Sequence, residues 1–537
     1  MQLAVSFTTL LASVLFVLSV ASNGAEAAPA KRGSRSVTLP LTRLHKPRAD
    51  VHPQILLQQH INRSVKRYAR MKGREAPSKR EMEEKIAKRM FIPAGGRPKI
   101  QSKRYNRQGA KPKTIAEAVE DGFTALSKGL KGAKNAAAAK GGKGKKHKQQ
   151  AAAGAAGAAA GAAGAADDGA DDGADDDDTD DTGSSGNATA AANGLTPANA
   201  PTADNSLGLD IEAKDVGYIA TIQMGTPPRD FHILMDSGSA DLWVGAEGCQ
   251  SQAGGGCGNH QFLGPQSSSS FKDLGQQFQV TYGTGAVAGD IIQDNINVAG
   301  LALNGHTFGV ATAETQDFSD DSVPFDGLMG LAQSTLSEQG VPTPVEALAK
   351  AGLIDDAITS YKISRLADNK NDGEITFGAL DETKFDPQTL VTFDNAADNG
   401  FWEGAMDGVS VDGQDLGLQG RTAILDTGTT LIVAPDADAA AVHAAIPGAQ
   451  SDGQGGFTIP CNTNASVALT FSGQEFAIDT RDLIFAQADN TGENCISGIS
   501  AGQIDGDTTW LVGDVFLKNA YFSTDVTKNQ ISLAKLV

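Results

Sequence analysis

At 537 residues the chain exceeds one ordinary domain, although not all of it has a composition that can fold. Past residue 21 no run reaches the roughly 18 apolar residues of a membrane span, which excludes further spans, and four cysteines fit an oxidising compartment. The net charge of −19 hides a partition: Lys31 to Lys148 holds 32 Lys and Arg against 8 acidic residues, a balance of +24, whereas Leu209 to the end holds 13 against 44, a balance of −31.

In chain order, residues 2–21 are almost entirely apolar or small and precede Ala25-Glu26-Ala27, a small-x-small cleavage pattern. Residues 1–21 are predicted to be a signal peptide, although no Lys or Arg precedes Lys31; a signal anchor is the alternative. Residues 22–150 form a basic segment punctuated by Lys31-Arg32, Lys66-Arg67, Lys79-Arg80, Lys88-Arg89 and Lys103-Arg104, with helical patterning at 54–68 and 115–130. A basic arm can mean nucleic acid, but behind a signal peptide it is expected to meet the acidic domain that follows. Residues 151–206 carry no Lys or Arg and run from Ala and Gly through an Asp-rich block, a linker that cannot bury a core.

From Leu209 the texture changes to short alternating runs between Gly, Asn and Asp turns, at 217–224, 230–235, 277–282, 376–377, 390–393, 467–471 and 530–533. They predict an all-β domain with few helices, candidates being 344–351 and 437–445. Roughly 330 residues suffice for two lobes with sizeable cores. The first of two matching stretches reads Ile233-Leu234-Met235-Asp236-Ser237-Gly238-Ser239-Ala240; the second, 190 positions on, reads Ala423-Ile424-Leu425-Asp426-Thr427-Gly428-Thr429-Thr430. Each is an apolar strand running into Asp-(Ser/Thr)-Gly, and each is followed by a second apolar run, Leu242-Trp243-Val244 or Leu431-Ile432-Val433. A third copy, Asp181-Thr182-Gly183, has no such flanks and reads as a decoy. Phe325-Asp326-Gly327-Leu328-Met329-Gly330 and Trp510-Leu511-Val512-Gly513 supply an apolar-apolar-Gly strand that can pack behind each Asp loop.

Two carboxylates delivered by similar halves can share one proton and hold one water, the equipment for hydrolysing an amide by general acid–base catalysis. No metal or cofactor is needed. The four cysteines allow three connectivities, of which local pairing within each half is the simplest. His260, His306 and His443 are isolated and expected on the surface or in loops; Asp320 and Asp321 are the acids that could lie near a pocket. Asn464-Ala465-Ser466 is a glycosylation sequon.

These residues resemble the pepsin-like aspartic proteases of the secreted fungal kind, over about 209–537: 218–225, 236–244, 280–285, 325–332, 373–381, 423–430 and 510–516 carry the likeness. The resemblance implies a bilobal fold with a cleft between an N-terminal lobe, 209–395, and a C-terminal lobe, 396–537. It implies Asp236 and Asp426 as the catalytic pair, Ser239 and Thr429 bonded to their outer oxygens, and Ser237 and Thr427 tying the loops together, with Gly238 and Gly428 in the same motif. It implies a mobile flap at Tyr282, Gly283 and Thr284 with Trp243 beneath it, and the disulfides Cys249–Cys257 and Cys461–Cys495. Ser237 replaces the usual Thr and Ala240 a hydroxyl residue, and neither change removes a group that the mechanism needs. The expectation is a monomeric acid endopeptidase acting on polypeptides, secreted or alternatively vacuolar, with its own 22–150 segment as intramolecular inhibitor, no nucleic-acid partner and no membrane span after signal cleavage. A catalytically dead protein of the same shape, acting by binding, is the alternative; loss of either Asp would have signalled it.

Overall fold

The computed structural model describes residues 37–40, 42–43, 53–89, 195–196, 211–212 and 217–537, except 284, 322, 369, 489–490 and 503–507. The signal peptide at 1–21, the helix expected at 115–130, nearly all of the 151–206 linker, Asp181 and Thr284 lie outside the described residues. Two sheets built on one plan position the site.

In the first, Phe231, Ile233 and Met235 of the Arg229–Asp236 strand are wholly buried while the residues between them are less so, the alternation of a strand with one face in a core. Its end pairs in parallel with Gly327–Gly330, Gly330 lying opposite Asp236. Gly327–Gly330 pairs on its other side antiparallel with Leu242–Ser251, the strand that follows the Asp loop. That strand in turn lies parallel to Leu301–Glu314.

The second half repeats each step. Arg421–Leu425 pairs in parallel with Thr509–Val512, which pairs antiparallel with Ile432–Pro435, which lies parallel to Ile499–Gly502. The apolar-apolar-Gly strand therefore passes behind each Asp loop. A methyl group at Gly330 would strike the backbone of Ala240, and one at Gly513 the Thr429 carbonyl, so only glycine permits this approach.

Each of these sheets has a core face and a second apolar face. In the first half the second face carries Ile219, Trp243 and Leu328, and the hairpin of Lys272–Thr281 and Ala286–Val298 covers it with Phe278, Val280, Tyr282 and Val287. In the other half the matching face carries Ile424, Val433 and Leu511. Its cover comes from the basic segment. The Pro53–Met71 helix lays Leu57, Ile61, Val65, Tyr68 and Met71 on it, an apolar stripe at helical spacing. Asn399 donates to the Met71 carbonyl at 2.9 Å at the helix end. A second helix, Lys79–Arg89, is started by a reciprocal pair in which Glu81 N–H donates to Ser78 Oγ and Ser78 N–H to Glu81 Oε2. A third, six-stranded sheet takes the basic segment's strand Val37–Pro40 against Glu374–Phe377, along with Ile358–Lys362, Tyr521–Asp525, Gln530–Ala534 and Val391–Asp394.

The expected helices form as Pro344–Lys350, capped by Thr343 and Glu346, and as Asp436–Ala444. The histidine expectation fails for two of three. His306 lies buried on a strand against Phe308, and His443 lies buried on a helix, stacked on Phe457 at 3.8 Å with its ring nitrogens bonded to Ala439 O and Ser497 Oγ. Burial holds both imidazoles down at about 4, so they pack as neutral rings, an environment that no local pattern advertises. His260 is half-buried and bonded to the Val323 carbonyl.

Candidate active site

Asp236 ends the Arg229–Asp236 strand and Asp426 directly follows Arg421–Leu425, where each apolar run stops and the chain turns on Ser-Gly or Thr-Gly. The two turns are cross-linked. Ser237 N–H donates to Thr427 Oγ1 and Thr427 N–H to Ser237 Oγ, both at 2.9 Å; the hydroxyls then donate onward, Ser237 to Leu425 O at 3.1 Å and Thr427 to Met235 O at 2.9 Å. All these groups are buried, so no water competes for them. Within each loop the carboxylate is held twice. Asp236 accepts from Gly238 N–H at 2.9 Å and Ser239 Oγ at 2.6 Å; Asp426 accepts from Gly428 N–H at 2.9 Å and Thr429 Oγ1 at 2.7 Å. A methyl group built on Gly238 would lie 2.5 Å from Asp426 Oδ1, and one on Gly428 would strike Asp236 Oδ1. The carboxylates therefore face each other across the seam over two glycines.

Replacing Thr427 by Val keeps the shape but strands the buried Ser237 N–H and Met235 C=O. At about 1–3 kcal/mol for each of the two orphaned groups, the variant is expected to lose about 2–6 kcal/mol, read from its denaturation midpoint. An unchanged midpoint would mean that the cross-link carries no stability.

The carboxylates do not meet water alone. Arg67, from the Pro53–Met71 helix, enters between them: Nη2 donates to Oδ1 of both Asp236 and Asp426, at 2.9 Å to the latter, and Nε lies 2.5 Å from Asp426 Oδ2. Burial works against the guanidinium charge, but the two carboxylates outweigh it and hold its pKa above the ordinary Arg value. Burial pushes Asp426 up to about 6; Arg67 pulls it down and Asp236 pushes it up. A few residues on, Lys72 Nζ reaches Glu403 Oε1 at 3.0 Å and Oε2 at 2.8 Å. Sequence reasoning treated Lys66-Arg67 as one dibasic pair among five. The readable signal is that, of the five pairs, Lys66-Arg67 alone lies within a stretch of helical patterning, 54–68.

Tyr282 is buried at the hairpin end, accepting from Trp243 Nε1 at 2.7 Å, with Phe318 edge-on to both rings. Its neighbour Gly283 lies against Arg63, one turn before Arg67: a methyl group there would sit 2.7 Å from the Arg63 carbonyl. Asp317, rather than Asp320 or Asp321, is the acid whose charge acts on Arg63, and Asp321 instead accepts from Asn259 N–H. Cys249 is bonded to Cys257, and Cys461 to Cys495. Among the described residues, Cys249, Cys257 and Glu314 form a group of metal-type ligands within 4.8 Å, but both sulfurs are taken by the disulfide.

Residues 217–536 match the family model described as eukaryotic aspartyl protease. Among similar proteins, a probable aspartic-type endopeptidase CTSD of Arthroderma benhamiae is 36% identical over 63% of this chain and 64% of its own length. An aspartic-type endopeptidase ctsD of Aspergillus fumigatus is 35% identical over 63% of this chain and 69% of its own. Rhizopuspepsin of Rhizopus chinensis is 35% identical over 59% of this chain and 78% of its own. The match to the first of these covers less than two thirds of that relative's length.

Proposed function

The chain belongs to the eukaryotic aspartyl protease family, and from that premise we propose that it is an acid endopeptidase made as an inactive precursor. One observation carries the reading: two buried carboxylates face each other so closely that a single guanidinium nitrogen touches both. In the active form a water takes the place of Arg67. Like charges at this separation cannot both ionise comfortably, so one carboxyl keeps a proton and the pair titrates as a unit. The charged partner takes a proton from the water, and the acid polarises the scissile carbonyl. Ser239 and Thr429 fix the outer oxygens, and the Tyr282 hairpin closes over an extended polypeptide and excludes water.

The same geometry supports the inhibitory role of the basic segment. Its helix fills one wall of the site, its Arg67 occupies the dyad and its Lys72 pairs with Glu403. Export as a monomer, with the exposed Asn464 as a glycan acceptor, completes the reading.

The test is peptidase activity against pH. Activity requires one shared proton, so it is present in acid and is lost as pH rises through the raised pKa of the pair. In the closed precursor burial raises Asp426 to about 6 against the pull of Arg67; departure of the segment relieves both influences, and the rate–pH profile of the converted chain reads the limb of the active form. A peptidic mimic of the tetrahedral intermediate, of the pepstatin kind, should inhibit strongly, and chelators should leave the rate unchanged. Full activity at neutral pH combined with chelator sensitivity would overturn the proposal.

A further inference from the structure

Beyond Asp236 and Asp426, Glu403 is a third carboxylate that the basic segment neutralises, and its setting is that of a built site. It lies on the Glu403–Met406 strand, directly across from Ile424, two residues before Asp426. Its side chain is only 9% exposed. Thr422 Oγ1 at 2.6 Å and Thr509 Oγ1 at 3.1 Å both donate to Oε1, which fixes the carboxylate on the sheet and stops it from turning out to solvent. The wall around it is apolar: Phe401, Ile424 and Leu511 belong to the face that the Pro53–Met71 helix covers. The cation present is Lys72, which reaches both oxygens.

Departure of the segment uncovers this carboxylate without freeing it. Glu403, Thr422 and Thr509 all belong to the family-matched body, so the site stays when Lys72 goes. An anion held on an apolar wall is costly unless a cation pairs with it. The spacing says which cation can reach it. Lys72 follows Arg67 by five residues, about 7.5 Å of helical rise, which an extended peptide covers in two to three residues.

We propose that, in the endopeptidase reading on which this inference rests, Glu403 determines specificity by taking the Lys or Arg side chain of a peptide substrate two to three residues from the bond that is cut. Lys72 then acts as an internal copy of that side chain. The flanking Ile424 and Leu511 favour apolar residues between the basic position and the scissile bond.

The test uses the full chain after acid conversion and a set of peptides that differ only by lysine, acetyl-lysine or norleucine at each of three positions on either side of the cleaved bond. For the wild type, one position two or three residues from the cut should show kcat/KM at least about tenfold higher for lysine than for either neutral analogue, the scale of a charge-assisted hydrogen bond. The advantage should shrink from 0.05 M to about 0.5 M salt by screening. In Glu403→Gln the lysine-to-norleucine ratio should fall to within about twofold of one. A wild type with no lysine preference at those positions overturns the inference, as does a preference that survives Glu403→Gln. Cleavage of the norleucine peptides without any lysine preference leaves the endopeptidase reading standing and removes only this one. No cleavage of any peptide removes both.

Discussion

Replacing either Asp236 or Asp426 by Asn is expected to reduce kcat/KM by at least about a thousandfold, within the range that acid–base groups contribute, while the fold survives. The two substitutions should cost about the same, and the double variant little more than either alone. One water needs both a base and an acid, so the second loss removes nothing that the first had left working. Asn keeps the side-chain shape: its carbonyl oxygen can still accept from the Gly N–H, and its NH2, in the place of the second oxygen, can donate to the Ser or Thr hydroxyl once that hydroxyl turns to accept. Asp181→Asn, with the same tripeptide but no apolar strands beside it, should change nothing. The measurement is kcat/KM on one peptide together with a thermal melt; a single variant with near-normal kcat/KM and a normal melt would refute the pairing.

The second large effect is expected at Arg67. In the full chain the guanidinium pairs with both carboxylates while they are charged, and protonating the pair removes that attraction. The sign follows from the Asp426 pKa of about 6: attraction is present above that pH and is lost as pH falls through it. Around Arg67 the relevant charges are Asp236 and Asp426, which favour it, and Arg63 one turn away, which opposes it; Tyr282 packs nearby and stays neutral. Arg67→Met keeps the length of the side chain but abolishes the ionic contact, the loss of one partner of a buried ion pair, on the order of 3–5 kcal/mol. At pH 6.5 the variant precursor should lose its basic segment at least about tenfold faster than the wild type, and its conversion should depend only weakly on pH between 5 and 7. N-terminal sequencing and mass of chains held across that range read the outcome; a new N-terminus is expected between about 104 and 209. Identical conversion profiles would show that Arg67 is not the latch. Arg67→Lys, which retains a charge, should fall between the two.

Much of this site could be read in one dimension because its parts are local. An apolar strand, a carboxylate and a Gly turn are neighbours in the chain, and the repetition at 426 of what stands at 236 marks them as a pair. The apolar-apolar-Gly strand behind each loop was legible for the same reason, since a strand that passes so close needs a residue without Cβ at one fixed point. Alternation likewise marked the strands, with boundaries shifted by a residue or two, such as Tyr218–Met224 and Arg229–Asp236.

The sequence by itself thus determined a β-rich chain with two equivalent carboxylate loops and a basic segment opposed in charge to the body that follows. It could not say which of the segment's cations enters the site: Lys66-Arg67 differs from Lys79-Arg80 as text only in lying within the helical pattern at 54–68, which marks a helix but not what that helix meets. The structure separates them: Arg67 is 12% exposed between the carboxylates, and Arg80 is 86% exposed beside Glu84. Nor could it show that a hairpin covers the second face of one sheet and a helix from the basic segment the matching face of the other, that Glu403 is paired and fixed by two threonines, or that His306 and His443 are buried. Arg67 meets its partners across 169 and 359 residues of chain. Contacts of that range leave no periodicity, spacing or turn signal, since they depend on where whole sheets come to lie; only the tertiary fold, by bringing those surfaces together and excluding water from between them, decides which charges become a pair.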